Sequence, residues 1–308
     1  MKKQLAFGAI MVLLLALALS RIDGKSLLHS VSQIPLWLIV LMLGMQIASQ
    51  LLVNLQWYKI AQLADISISF GDILYVNCQG AVMDSITPGV KIGGEVTRAI
   101  QISRVAKYPG EQSAAVVAVQ KIFSISALFL ILLFVVNRFL ALPFLLILSC
   151  AFFMPNRISR YLQVKKDPCF AWMRKVKGFL CAILDQMCSI RKNLGSLITL
   201  SLLSLLIWLL YPVKMHILAI QFFPDVHIMH IASVTFAAYM VAMLPIFPGG
   251  LGGFEGTMAG LLVAMGAAIN DAAIITIFFR FATFWFVMLI SLAYIALYKI
   301  YKNGRSRQ

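Results

Sequence analysis

The sequence is short of acid, and short of charge altogether. Asp and Glu account for 11 of its 308 residues, against 26 Lys and Arg, and charged residues make up 12% of the chain. It has 4 histidines and 5 cysteines, and no two cysteines stand as CxxC. The cysteines are Cys78, Cys150, Cys169, Cys181 and Cys188; the last two lie two helical turns apart, too far to bond on one helix. A disulfide framework or thiolate zinc site is not expected, and the cysteines read as small apolar packing residues. His227 and His230 supply two ligands where a zinc site needs more. GxSxG, HExxH, a Walker A loop and a dinucleotide fingerprint are all missing. No catalytic residue, metal or cofactor is expected, and the chain reads as a non-enzyme. No polar stretch is long enough to form a separate soluble domain.

What is present is apolar. Hydrophobic residues make up 61% of the chain, and mean hydropathy is +0.92. A soluble domain of this length cannot hide that much apolar surface, so the fold class is an all-α integral membrane protein, a polytopic helical bundle. The formal net charge of +15 is clustered. Nine Lys or Arg fall between Arg157 and Lys192, four close the tail (Lys299, Lys302, Arg305, Arg307), and Lys2 and Lys3 open the chain. Positive charge beside membrane spans marks the cytoplasmic side and attracts anionic lipids; no nucleic-acid partner is implied. The run from Leu5 to Leu19 behind Lys2-Lys3 resembles a signal peptide, but reads here as an uncleaved first helix.

Full spans are expected at 5–20, 34–56, 113–136, 138–154, 197–220 and 270–298, each near the ~20 residues that cross a bilayer. Two further segments, 70–107 and 228–268, are interrupted by Pro88-Gly89-Val90-Lys91-Ile92-Gly93-Gly94-Glu95 and Pro248-Gly249-Gly250-Leu251-Gly252-Gly253-Phe254-Glu255. Aligning residues 81–100 with 241–260 gives eight identities: Met83/Met243, Ile86/Ile246, Pro88/Pro248, Gly89/Gly249, Gly93/Gly253, Glu95/Glu255, Thr97/Thr257 and Ala99/Ala259. Composition alone gives about two. With each broken segment taken as a re-entrant hairpin, the large basic clusters and both termini fall on the cytoplasmic side. The single membrane domain 1–308 then divides into repeat halves 1–137 and 138–300 of opposite orientation, the second containing a basic cytoplasmic segment 155–196. The alternative is that the hairpins cross fully as short tilted helices. Within the basic segment, Phe170, Trp172, Val176, Phe179, Leu180, Ile183, Leu184 and Met187 recur at helical spacing. They read either as an amphipathic helix on the membrane surface or as a connecting helix packed on the bundle.

Broken helices at membrane depth are tolerated only inside protein or beside water, and their N-termini attract phosphate and carboxylate. The candidate substrate-binding residues are therefore Lys91, Gly93, Gly94, Glu95 and Arg98 in the first break, Pro248, Gly249, Gly250, Gly252, Gly253 and Glu255 in the second, and Arg280 in an otherwise apolar span. Alternatively, the small residues serve only to let helices pack closely, and each acid is stabilised by its own helix. Arg280 needs an anion, Glu255, Glu95 or a phosphate. Asp84 is placed to meet a cation. Lys121 and Lys214 are weaker candidates because each is near an interface, and Asp271 reads as a helix cap.

The stretches Thr87-Pro88 to Arg98-Ala99 and Pro248-Gly249-Gly250-Leu251-Gly252-Gly253-Phe254-Glu255, with Arg280, resemble the transmembrane region of lysylphosphatidylglycerol synthases and their stand-alone, flippase-like relatives. The likeness runs from about residue 5 to 300. Where that family often carries an acidic-basic pair and an aspartate one turn on, this sequence has Gln120, Lys121 and Ser124, which removes those acids from any coupling role. No aminoacyl-transferring domain follows before Gln308. The resemblance implies lipid translocation without aminoacylation: a flippase or transporter in the inner membrane, moving an anionic phospholipid or polyprenyl-linked lipid by an ion gradient or downhill. Its partners would be membrane lipids and a lipid-modifying enzyme. The other readings are a membrane-embedded headgroup transferase and a non-catalytic partner subunit of a lipid glycosyltransferase.

Overall fold

The computed structural model describes residues 34–87, 92–136, 171–244 and 249–305. The spans expected at 5–20 and 138–154 lie outside them, as do Lys91 and Pro248. The described residues form helices joined by short turns and loops, without a strand. Four helices are long and apolar enough to cross a bilayer: Leu36–Leu63, Gly110–Val135, Leu194–Ala219 and Ile269–Lys302. They match the spans read at 34–56, 113–136, 197–220 and 270–298.

In chain order the helices are α1 (Leu36–Leu63), α2 (Phe70–Ile86), α3 (Ile92–Val105), α4 (Gly110–Val136), α5 (Ala171–Lys192), α6 (Leu194–Ala219), α7 (Ile228–Ala242), α8 (Gly253–Ala264), α9 (Ile269–Arg280) and α10 (Phe286–Arg305). A π-helical turn, Phe281–Trp285, joins α9 to α10. Both interrupted segments are helix–break–helix. The reason is local. Thr87, which precedes Pro88, is extended (ψ 135°) and caps α2, as a residue before proline must be. Gly249, Gly250 and Gly252 take φ of +59°, +72° and +83°, a region open to glycine but costly to other residues. Pro212 sits inside α6 without ending it.

The chain forms two compact units. Among the described residues, one comprises 47–87, 92–136, 171–211 and 287–305, the other 34–46, 212–244 and 249–286. The core of the first is built by Trp57 and Ile60 of α1, Ile73 and Val76 of α2, Ile102 of α3, Val116 and Phe123 of α4, Ile190 of α5 and Leu200 of α6. The amphipathic segment is a helix as expected. It packs on this unit through Ile183, Met187 and Ile190, while Val176 and Leu180 remain exposed. The core of the second unit centres on Phe236 of α7, Phe254 of α8 and Phe279 of α9, all fully buried, with Tyr239 edge-on to Phe254 and Phe254 parallel to Phe279.

Candidate functional site

In the first unit the interrupted segment closes into a tight pair of helices. A Cβ on Gly94 would run into the Asp84 carboxylate and the Gly80 carbonyl; one on Gly80 would strike the Arg98 guanidinium, and one on Gly93 the Thr87 side chain. Glycine here lets α2 and α3 touch backbone to side chain, as small residues do in membrane helix pairs. The close approach brings Arg98 Nη2 within 3.1 Å of Asp84 Oδ2, and the guanidinium lies 5.8 Å from the Trp57 ring centroid. Glu95, in the first turn of α3, pairs with Lys121 of α4. Arg98 is therefore an internal counter-charge to Asp84.

Lys121, a weaker candidate on sequence grounds, is thus a principal partner. Its neighbours take the roles of a polar seam. Gln120 donates to Gln56 at 3.1 Å, and Trp208 donates to Ser124 at 3.1 Å. We expect Glu95→Lys to set like charges against Lys121 and lower the melting temperature of the purified protein. The reciprocal double variant Glu95→Lys/Lys121→Glu is expected to restore it, as read by fluorescence-detected size exclusion after heating.

In the second unit the geometry differs but the pairing recurs. The three positive-φ glycines form a turn that ends at α8, where Glu255 Oε2 accepts from the Gly252 N–H at 2.6 Å. This one-way bond from the N-cap backbone to the Glu255 side chain satisfies a donor that the helix start leaves open. The other oxygen, Oε1, lies 2.9 Å from Arg280 Nε. Arg280 also donates from Nη2 to the Gly249 carbonyl. Its guanidinium sits 4.7 Å and 4.2 Å from the ring centroids of Phe254 and Phe284, contacts that stabilise a desolvated cation by up to about 2 kcal/mol. Arg280 is 6% exposed. The backbone turn, the acid and the base form one connected cluster.

Of the residues predicted from sequence, Gly93, Gly94, Glu95 and Arg98 lie together in the first unit, and Gly249, Gly250, Gly252, Gly253, Glu255 and Arg280 in the second. Lys214, fully buried, donates to Gln46 at 2.5 Å. Asp271 lies in the first turn of α9, whose N-cap is Ala268. His227 caps α7, its Nδ1 accepting from the Met229 N–H.

Sequence reasoning passed over one further constellation, in the first unit. Asp72, in the first turn of α2, accepts from the Tyr298 hydroxyl and from Ser69. Tyr75 stacks on Tyr298 at 4.2 Å, Tyr294 donates to the Gly71 carbonyl at 3.2 Å, and Lys302 Nζ lies 3.3 Å from the Tyr298 hydroxyl. The signal was Tyr294, Tyr298, Tyr301 and Lys302 at helical spacing near a basic tail, which reads equally as an interfacial anchor.

Several archaeal proteins are similar to this chain. It is 23% identical over 273 residues to a UPF0104 membrane protein of Methanothermobacter thermautotrophicus, covering 79% of this chain and 80% of that one. Identity to a UPF0104 membrane protein of Pyrococcus horikoshii is 23% over 285 residues, 80% and 83% of the two chains. A third, from Methanocaldococcus jannaschii, is 27% identical over 148 residues, 46% and 44%. The model of the family described as the lysylphosphatidylglycerol synthase TM region matches residues 4–291, and so includes both glycine breaks and Arg280. The chain is a multi-pass integral membrane protein that belongs to the lysylphosphatidylglycerol synthase transmembrane-region family.

Proposed function

We propose that this protein is a lipid translocator, moving a phosphate-bearing lipid, either a phospholipid or a polyprenyl-linked one, across the inner membrane with both chain termini on the cytoplasmic side. One observation carries the reading: each glycine break holds an acid paired with a base from a following apolar helix, Glu95 with Lys121 and Glu255 with Arg280. Ionisable groups at membrane depth are costly, and they concentrate where charge has to move. The spacing recurs as well, since Lys121 follows Glu95 by 26 residues and Arg280 follows Glu255 by 25. Together with the repeated Pro-Gly pattern, this supports an inverted repeat with interrupted helices near the substrate path. In this mechanism a lipid phosphate competes with the carboxylate for the base, and each pair opens and re-forms in a cycle. Membership of a lipid-handling family is consistent with this, and the basic clusters suit a cytoplasmic face.

The test is translocation in proteoliposomes, with fluorescent phospholipids and polyprenyl-phosphate glycolipids followed by an impermeant quencher. Wild type is expected to expose at least one of these lipids to the quencher, and Glu95→Gln and Glu255→Gln to abolish that movement while remaining folded. Movement undiminished in both variants, or no movement of any lipid class by wild type, would overturn the reading. Headgroup turnover in its place would favour a transferase.

A further inference from the structure

The constellation at Asp72 surrounds a cavity of about 800 Å³ lined by Ser69, Asp72, Tyr294, Tyr298, Tyr301 and Lys302, within the size range of small-ligand sites. The α10 residues lie at positions i, i+4, i+7 and i+8, on one stripe of the helix. A second cavity of about 150 Å³, between α1, α2 and α10, is lined by Gln50, Asn77 and Ser291 among apolar residues. Tyr294 belongs to both walls, so the two cavities adjoin.

Their chemistry is one-sided. The outer cavity offers a carboxylate and three tyrosine rings to a cation. The inner one holds Asn77, which is 9% exposed and has a buried Oδ1 without a hydrogen-bond donor, while its Nδ2 is engaged by Asn54 at 2.9 Å. An acceptor left open in a buried polar cavity calls for a donor. An ammonium is a suitable one: it carries three N–H groups and binds aromatic faces. Lys302 Nζ already lies 5.4 Å from the Tyr298 ring centroid, where it stands in for such a cation. Displaced from that ring, it becomes the one basic group among the described residues that line the mouth, placed to take a phosphate. Exposed Leu297 and Tyr301 line the opening, an apolar border suited to acyl chains and unsuited to a free solute.

We infer that the Asp72–Tyr298 cavity seats a zwitterionic phospholipid headgroup of the phosphoethanolamine class, its ammonium on Asp72 and the tyrosine rings and its phosphate on Lys302. That the seat loads a translocated lipid rests on the transport reading; that it binds does not. The charge pattern sets this headgroup apart from a purely anionic one, which would bring a phosphate to Asp72 with no compensating ammonium.

Native mass spectrometry of the detergent-solubilised full chain, titrated with phosphatidylethanolamine, phosphatidylglycerol or phosphatidylcholine, tests the assignment. Phosphatidylethanolamine is expected to bind roughly tenfold more tightly than phosphatidylglycerol, and Asp72→Asn to erase that preference. Lys302→Ala, an exposed change that leaves the helix intact, is expected to weaken phosphatidylethanolamine several-fold. Soluble phosphoethanolamine is expected not to compete at matched concentration. Equal binding of the two lipids by wild type, or a preference that survives both substitutions, would overturn the inference. Effective competition by the soluble headgroup would instead mark a solute site. Selective binding without translocation would sink the transport reading alone; translocation with no Asp72-dependent preference would sink this one alone.

Discussion

Arg280→Ala is expected to destabilise the protein by about 3 kcal/mol and to abolish lipid movement, because it strands Glu255 beside the buried Phe254 without its base. Three contacts vanish at once: the 2.9 Å pair with Glu255, the bond to the Gly249 carbonyl and the stacking on Phe254 and Phe284. The partly buried carboxylate left without its base is the largest cost. The double variant Glu255→Gln/Arg280→Met separates structure from mechanism, since it removes both charges and keeps the volume. Thermal denaturation should show it recovering much of the lost stability, as a coupled pair does, while translocation stays absent. A single substitution as stable as wild type would show that the pair contributes nothing to the fold.

The second large effect is expected at Gly94. Gly94→Val places a branched side chain where the Gly80 carbonyl and the Asp84 carboxylate already lie, and neither can yield without opening the α2–α3 pair. Overpacking of this kind costs typically 1–3 kcal/mol, and backbone on one side argues for the upper part, about 3 kcal/mol. The Arg98–Asp84 pair, 3.1 Å long, should be lost with it. Gly256→Ala is the control: a Cβ there meets nothing within 4 Å, and alanine is the better helix former, so stability should hold or rise slightly. A melting temperature for Gly94→Val matching that control would refute the packing account.

The sequence showed these two sites unequally. Arg280 was legible because a guanidinium in an apolar run needs an anion, and the cluster at Glu255 supplies one. Lys121 was discounted because its apolar run begins nearby, so snorkelling to an interface sufficed. Only the spatial neighbourhood of α3 and α4 reveals Glu95. Gly93 and Gly94 looked like Gly252 and Gly253, yet the first pair serves close packing of helices while Gly252 serves a left-handed turn. A one-letter motif does not distinguish absence of a side chain from freedom of φ. Asp72 carries no comparable signal in the sequence. An acid in the first turn after Ser69 is what a capped helix carries, and Tyr298 stands 226 residues away. The long helices themselves were plain, since apolar length alone marks them. Pro212 was absorbed without ending α6, as prolines are in spans whose neighbours or waters serve the freed carbonyl.

The π-helical turn Phe281–Trp285 is an insertion within the helical stretch Ile269–Lys302. A π turn accommodates one residue beyond the α repeat, so the side chains below it are wound on by about 100° relative to an unbroken helix. Arg280 stands at the last position before the turn and Phe284 inside it. Deleting one residue inside the turn would return this stretch to the α repeat and carry the Phe284 ring about 100° around the helix, away from the Arg280 guanidinium it now covers.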